Sequence, residues 1–175
     1  MEDIKTADDI QEDIKEKMLK YQYMNQDTLT GIYDDIASQY DKHMEICGFP
    51  DPKNITDILI KYGVPKDAPI IDLGCGTGLV GEMLSKHGFT DIVGIDASQE
   101  MLKKAEGRGY NRFIEAFLGI NELPEGVEKK FNVAISSGLM CHGCSADIIF
   151  DHLNVLKPRE SEDDKLFFLF ATRES

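Results

Sequence analysis

Pro69-Ile-Ile-Asp-Leu-Gly-Cys-Gly-Thr-Gly-Leu-Val-Gly81 decides how this chain is read. Its first half is a short apolar run carrying one carboxylate, Asp72. Its second half is a glycine-rich turn, after which Leu79, Val80, Met83 and Leu84 form an apolar stripe at helical spacing. That order predicts a buried strand, a tight loop and a helix. Gly74, Gly76 and Gly78 have no Cβ, so the backbone around Cys75 can turn sharply and a ligand can lie against it. The helix that follows aims its first free N–H groups and its positive dipole end at the same place. The stretch reads as a ligand cradle made of main chain.

Downstream of the cradle, strands and helices alternate. The pattern predicts strands over 69–73, 91–95, 112–118, 131–136 and 166–171. It predicts helices over 78–87, 99–106 and 146–156, with Ser98 as a cap and Gly88 and Pro158 as terminators. Asp96 falls at the end of the second strand. Such alternation implies an α/β fold, a doubly wound parallel sheet covered on both faces. In that architecture ligands bind beyond the carboxyl ends of the strands, where the strand order reverses. Upstream, apolar residues recur at helical spacing over 7–26. They recur again over 29–46, where Ile32, Ile36, Tyr40 and Met44 share a face. Asp51 followed by Pro52 predicts a capped helix running to Tyr62. The expected organisation is a helical cap over 1–50 and a ligand-binding domain over 51–175.

Composition narrows the class. A chain of 175 residues with 42% hydrophobic residues can bury an ordinary core. No apolar run approaches the ~20 residues of a membrane span. The acidic start lacks the apolar segment of a signal peptide, so a cytoplasmic protein with no membrane partner is expected. A net charge of −13 argues against a nucleic-acid partner, because phosphate contacts need clustered Lys and Arg. Cys141-His-Gly-Cys144 is half of a metal-site pattern, but no second pair accompanies it, so no metal is expected.

Gly76-x-Gly78-x-x-Gly81 also satisfies the dinucleotide pattern G-x-G-x-x-G, so a nicotinamide cofactor has to be weighed. Two features point elsewhere. Asp72, two residues before Gly74, is a poor neighbour for a pyrophosphate and a good one for an ammonium group. The spacing Gly74-x-Gly76-x-Gly78 keeps the backbone low over a longer span than one phosphate needs. A ligand with a cationic amino-acid head and a ribose fits both ends, with Asp96 accepting from both ribose hydroxyls. The plainer alternative for Asp96-Ala-Ser98 is a helix cap.

At these residues the chain resembles the class I S-adenosylmethionine-dependent methyltransferases. Ile71-Asp-Leu-Gly-Cys-Gly-Thr-Gly78 is similar to their first motif, and Gly94-Ile-Asp-Ala-Ser98 to their second. Phe131-Asn-Val-Ala-Ile135 resembles the fourth-strand motif, and Leu156-Lys-Pro158 the end of the next helix. A narrower likeness is to the methyltransferase-like proteins of the Williams–Beuren region. It rests on Tyr33-Asp-x-x-Ala37-x-x-Tyr40-Asp41, on Leu118-Gly-x-x-x-Leu-Pro124 and on the loop from Gly138 to Gly143.

The resemblance implies a Rossmann-like core and S-adenosyl-L-methionine as cofactor, with S-adenosyl-L-homocysteine left after methyl transfer to a small-molecule or protein acceptor. It implies that Ala97, Met101, Leu118 and Gly119 flank the adenine. A typical member has an acid near Gly119, and this chain does not. Tyr33 and Tyr40, seven apart and so on one helix face, either close over the methionine end or are core aromatics. Ser137 and His142 follow the fourth strand on the ligand side. No conspicuous catalytic side chain is expected, and His142 is the candidate to take a proton from the acceptor.

The family's sheet has seven strands, whereas this sequence stops after the fifth. Its edge would be covered by the N-terminal helices, supplied by a second copy or partner subunit, or left bare in a shortened form. Three function classes follow: a methyltransferase, a cofactor-binding but degenerate module serving as a scaffold, and a nicotinamide-dependent oxidoreductase.

Overall fold

The computed structural model describes residues 26–119, 123–138, 154–158 and 166–171. The helix expected over 7–26, nearly all of the one over 146–156, the Cys141–Cys144 pattern and His142 lie outside them. The described elements are α1 (Gln26–Ile36), α2 (Tyr40–Ile46), α3 (Asp51–Lys61), β1 (Ile70–Leu73), α4 (Leu79–Lys86), β2 (Ile92–Asp96), α5 (Gln99–Ala105), β3 (Arg112–Glu115), β4 (Val133–Ser137) and β5 (Phe167–Ala171).

The strands are parallel throughout and lie in the order β3-β2-β1-β4-β5. β1 is buried along its whole length, as expected for Ile-Ile-Asp-Leu in a sheet covered on both faces. Alternate residues of each strand serve opposite layers. Ile70, Ile92, Val133 and Ile135 join Ile55, Leu59, Val80, Leu84 and Phe89 in one core. Ile71, Leu73, Val93, Ile95 and Ala134 join Leu118, Val127, Phe131 and Val155 in the other. The strand order reverses between β1 and β4, so the crevice opens beyond Leu73 and Ser137.

Three expectations need correction. The helix over 29–46 is two helices, broken at 37–39, where the Gln39 N–H donates to the Ile36 carbonyl at 2.9 Å. Each half is fastened to a different loop: Asp34 accepts from the Ser98 hydroxyl, and Asp41 accepts from the Thr77 hydroxyl. Tertiary bonds override a helical periodicity that has no Gly or Pro at the break, Ala37-Ser-Gln39. Tyr33 and Tyr40 therefore stand on separate helices rather than two turns apart on one.

Asp51 does not cap α3. Pro50 holds that position, and Asp51 is the first helical residue, buried, accepting from the Ser137 hydroxyl at 3.0 Å. β3 ends at Glu115, three residues before the expected limit, because this outer strand offers few buried side chains to extend the pairing. Among the described residues, β5 pairs with β4 along one edge and with no strand along the other. Among them, too, no helix is long and apolar enough to cross a membrane, and no group of three or more His, Cys, Asp or Glu side chains is placed to hold a metal ion.

Candidate functional site

β1 and β2 deliver the two halves of the site. The N–H groups of Gly74 and Cys75 both donate to the Ile95 carbonyl, at 2.8 and 2.9 Å, which pins the loop against the end of β2. The loop then turns through three left-handed residues, with φ of 76° at Gly74, 53° at Gly76 and 87° at Gly78. A Cβ at Gly78 would lie 2.9 Å from the Ala105 side chain, whereas one at Gly76 would meet open space. The cradle therefore packs against α5 at Gly78 and is open at Gly76.

Asp96 fastens that loop. Its Oδ2 accepts from the Gly76 N–H at 2.8 Å, and its Oδ1 accepts from the Ser98 N–H at 2.9 Å. Burial raises its pKa, and the backbone N–H groups of Ser98, Gly76 and Ala97 oppose that rise. Each oxygen keeps a second lone pair for a ligand hydroxyl. Ser98 caps α5, accepting from the Met101 N–H at 3.1 Å, as its position in the sequence predicts.

Asp72 is held differently. It is 1% exposed. Its Oδ2 accepts from the Tyr110 hydroxyl at 2.7 Å, while its Oδ1 is buried with no hydrogen-bond partner. Desolvation pushes its pKa up to about 7, with the Tyr110 hydrogen bond opposing and the Asp96 charge adding. Cys75 is buried beside it, and burial likewise raises its thiol well above the ordinary value, so it stays protonated.

Tyr110 is the site residue that sequence reading missed. Its hydroxyl also accepts from the Gly81 N–H at 3.1 Å, so a phenol caps α4. A Cβ at Gly81 would stand 2.2 Å from the Tyr110 ring, and one at Gly94 would stand 3.1 Å from it. The third glycine of G-x-G-x-x-G here clears space for the Tyr110 ring. The signal available in the sequence was Gly94, a glycine inside a strand, which marks a close approach.

Ala97 borders a cleft of about 410 Å³. Glu115, Ala116 and Phe117, which end and follow β3, line it as well, together with Asp27, Thr30, Gly31 and Asp34 of α1. Met101 and Leu118 are buried, and Gly119 makes a left-handed turn after β3. Ser137 ends β4 across the crevice, tied to Asp51. Tyr33 and Tyr40 are half-buried. The structure brings Asp72, the glycine loop and Asp96 together at adjacent strand ends.

A family model described as a methyltransferase domain matches residues 70–159. Methyltransferase-like protein 27 of Homo sapiens is 33% identical over 129 residues, covering 72% of this chain and 52% of that protein. The chain spans about half, or less, of the length of the curated relatives it matches. Two solved structures share the fold. One is a putative S-adenosylmethionine-dependent methyltransferase from Methanococcus maripaludis, with a TM-score of 0.57, 16% identity, and coverage of 71% of this chain and 59% of that one. The other is in the complex between the Haloferax volcanii Trm112 methyltransferase activator and the putative methyltransferase, with a TM-score of 0.57, 21% identity, and coverage of 72% of this chain and 56% of that one. With its central ninety residues matched to the family model, this chain belongs to the class I, S-adenosylmethionine-dependent methyltransferase-domain family.

Proposed function

We propose that the chain holds S-adenosylmethionine across the ends of β1 and β2, and that the protein transfers a methyl group from it to a small-molecule or protein acceptor in the cytoplasm. The observation that carries this reading is the pair formed by an open, left-handed glycine loop and a buried Asp72 whose Oδ1 is unpartnered. A cationic amino-acid head satisfies that oxygen, and a pyrophosphate does not. The Gly81 amide, one of the N-terminal donors of α4 that an anion could use, is already bound to Tyr110. In this reading Asp72 faces the ammonium group and the spare lone pairs of Asp96 receive the ribose hydroxyls. Ala97 and Gly119 flank the adenine with Met101 and Leu118 behind, while Tyr33, Tyr40 and Ser137 border the methionine end.

When bound, the sulfonium supplies an already activated methyl group. The chain's own part is alignment and exclusion of water, which can lower a barrier by ~7–11 kcal/mol without an acid or base of its own. Where the acceptor must lose a proton, His142 is the residue to substitute first. The charge of −13 favours a small or protein acceptor over a nucleic acid. The edge of β5 that meets no strand among the described residues suits a second copy or a partner subunit. Cys47 and Cys75, both free thiols, suit a reducing compartment.

Calorimetry tests the reading. S-adenosylhomocysteine and S-adenosylmethionine should bind and NAD should not; preferential NAD binding overturns it. Radiolabelled methyl groups from S-adenosylmethionine should then enter a protein or small-molecule fraction of a cell extract. Binding without any incorporation would favour the scaffold role.

A further inference from the structure

We propose that Asp41, Thr77 and Arg108 form a latch that fixes the glycine loop in its ligand-receiving shape, making Asp41 and Arg108 positioning residues for the cofactor. Thr77 lies between Gly76 and Gly78 and is 1% exposed. Its neighbours are glycines with φ of 53° and 87°, and such residues do little to hold a single conformation by themselves.

Thr77 supplies what they lack, through both its side chain and its backbone. Its hydroxyl donates to Asp41 Oδ1 at 2.5 Å, and its carbonyl accepts from Arg108 Nη1 at 3.0 Å. Arg108 Nη2 closes the ring by donating to Asp41 Oδ2 at 2.5 Å. Three segments far apart in the chain are joined at the middle residue of the cradle.

The surroundings of Arg108 fit a fixed fork rather than a loose surface cation. It stands between Gly107 and Gly109, both left-handed, and its N–H donates to the Ala105 carbonyl at 3.1 Å. A Cβ at Gly109 would lie 2.3 Å from the Ser85 side chain, so the arginine enters over a backbone pressed against α4. A guanidinium can reach the carbonyl and the carboxylate together, and an ammonium cannot reproduce both bonds with that geometry. The Asp41 and Arg108 side chains are 38% and 24% exposed, so the ion pair by itself adds little stability. Its consequence is local: α2 cannot leave the loop, and the loop cannot relax, unless the ring opens.

The inference rests on the reading that the cofactor occupies this cradle, and the test separates the two. Asp41→Asn, Arg108→Gln, Arg108→Lys and the double variant Asp41→Asn/Arg108→Gln are made in the full chain. Amide hydrogen exchange of the ligand-free protein should show residues 74–79 exchanging at least tenfold faster in every variant, with the strands of the core unchanged. S-adenosylhomocysteine affinity by calorimetry should fall five- to twentyfold in each single variant. Arg108→Lys should not restore it, and the double variant should be no worse than the weaker-binding single. Unchanged loop exchange overturns the latch whether or not any ligand binds. Losses that multiply in the double variant, or wild-type affinity in the singles, overturn it as well. Wild-type protein that fails to bind S-adenosylhomocysteine, but shows the loop exchange pattern, leaves the latch standing and removes the cofactor reading instead.

Discussion

Asp72 and Asp96 sit on adjacent parallel strands, both drawn away from water, and they are held in opposite ways. Asp96 is satisfied by the main chain, each oxygen taking an amide from the loop or from the turn before α5. Asp72 takes one phenol and leaves its other oxygen buried without a partner. The first arrangement builds the cradle, because removing it frees two amides. The second leaves a demand unmet in the folded protein, which is costly unless something arrives to meet it. The lesson is that of two acids in a site, the one with an amide on each oxygen explains the shape, and the one with a buried, unpartnered oxygen points to the charge of the ligand.

The largest test of that contrast is pH. The Asp72 carboxyl titrates near 7 in the folded chain and near 4 when unfolded. Between those values the native state holds a proton that the unfolded state has lost, so this group's contribution to stability falls as pH rises from about 4 to about 7. The stability of wild type relative to Asp72→Asn, from urea denaturation, should drop by on the order of 4 kcal/mol across that window. S-adenosylhomocysteine affinity should rise over pH 6 to 8 as the carboxylate ionises to meet an ammonium group. A flat stability difference would mean that burial does not raise the Asp72 carboxyl, and the contrast would fail.

Next is Gly81→Ala, which drives a methyl into the Tyr110 ring. It should cost about 3 kcal/mol by thermal or chemical denaturation, and Tyr110→Ala in the same chain should recover part of the loss. Full stability in the single variant would mean that Tyr110 does not pack where Asp72 needs it. Asp96→Ala should cost about 2 kcal/mol of stability by leaving the Gly76 and Ser98 amides without their acceptor. Its S-adenosylhomocysteine affinity should fall as well, and a loss of stability with affinity intact would confine Asp96 to a structural role. The smallest effect is that of Tyr110→Phe, about 1 kcal/mol, with the midpoint of the Asp72 pH profile moving upward once the opposing hydrogen bond is gone. A downward shift would contradict the assigned partner.

What could be read in the sequence was whatever a short stretch dictates by itself. Ile70 to Gly78 specified strand and loop through burial and left-handed turns, and Ser98 announced its own helix through a local cap. The strand ends that bring Asp72 and Asp96 together followed from the βαβ order. What stayed hidden depended on partners distant in the chain. The break at 37–39 has no Gly or Pro to mark it; it comes from Asp34 and Asp41 each finding a different loop. Asp51 looked like a cap because the Asp-Pro pair is a local signal, while its real partner, Ser137, lies on β4. Tyr110 and Arg108 looked like ordinary residues between helix and strand. Only the packed fold shows that one completes Asp72 and the other reaches Thr77.

The phenol over Gly81 has a bearing on redesign. Converting this chain to carry a diphosphate would take two simultaneous edits, one to release the α4 amide from Tyr110 and one to neutralise Asp72. Either edit alone leaves the new anion facing an obstacle: a blocked donor in one case, an unscreened carboxylate in the other. Substituting the visible glycine pattern, which already matches, would accomplish nothing.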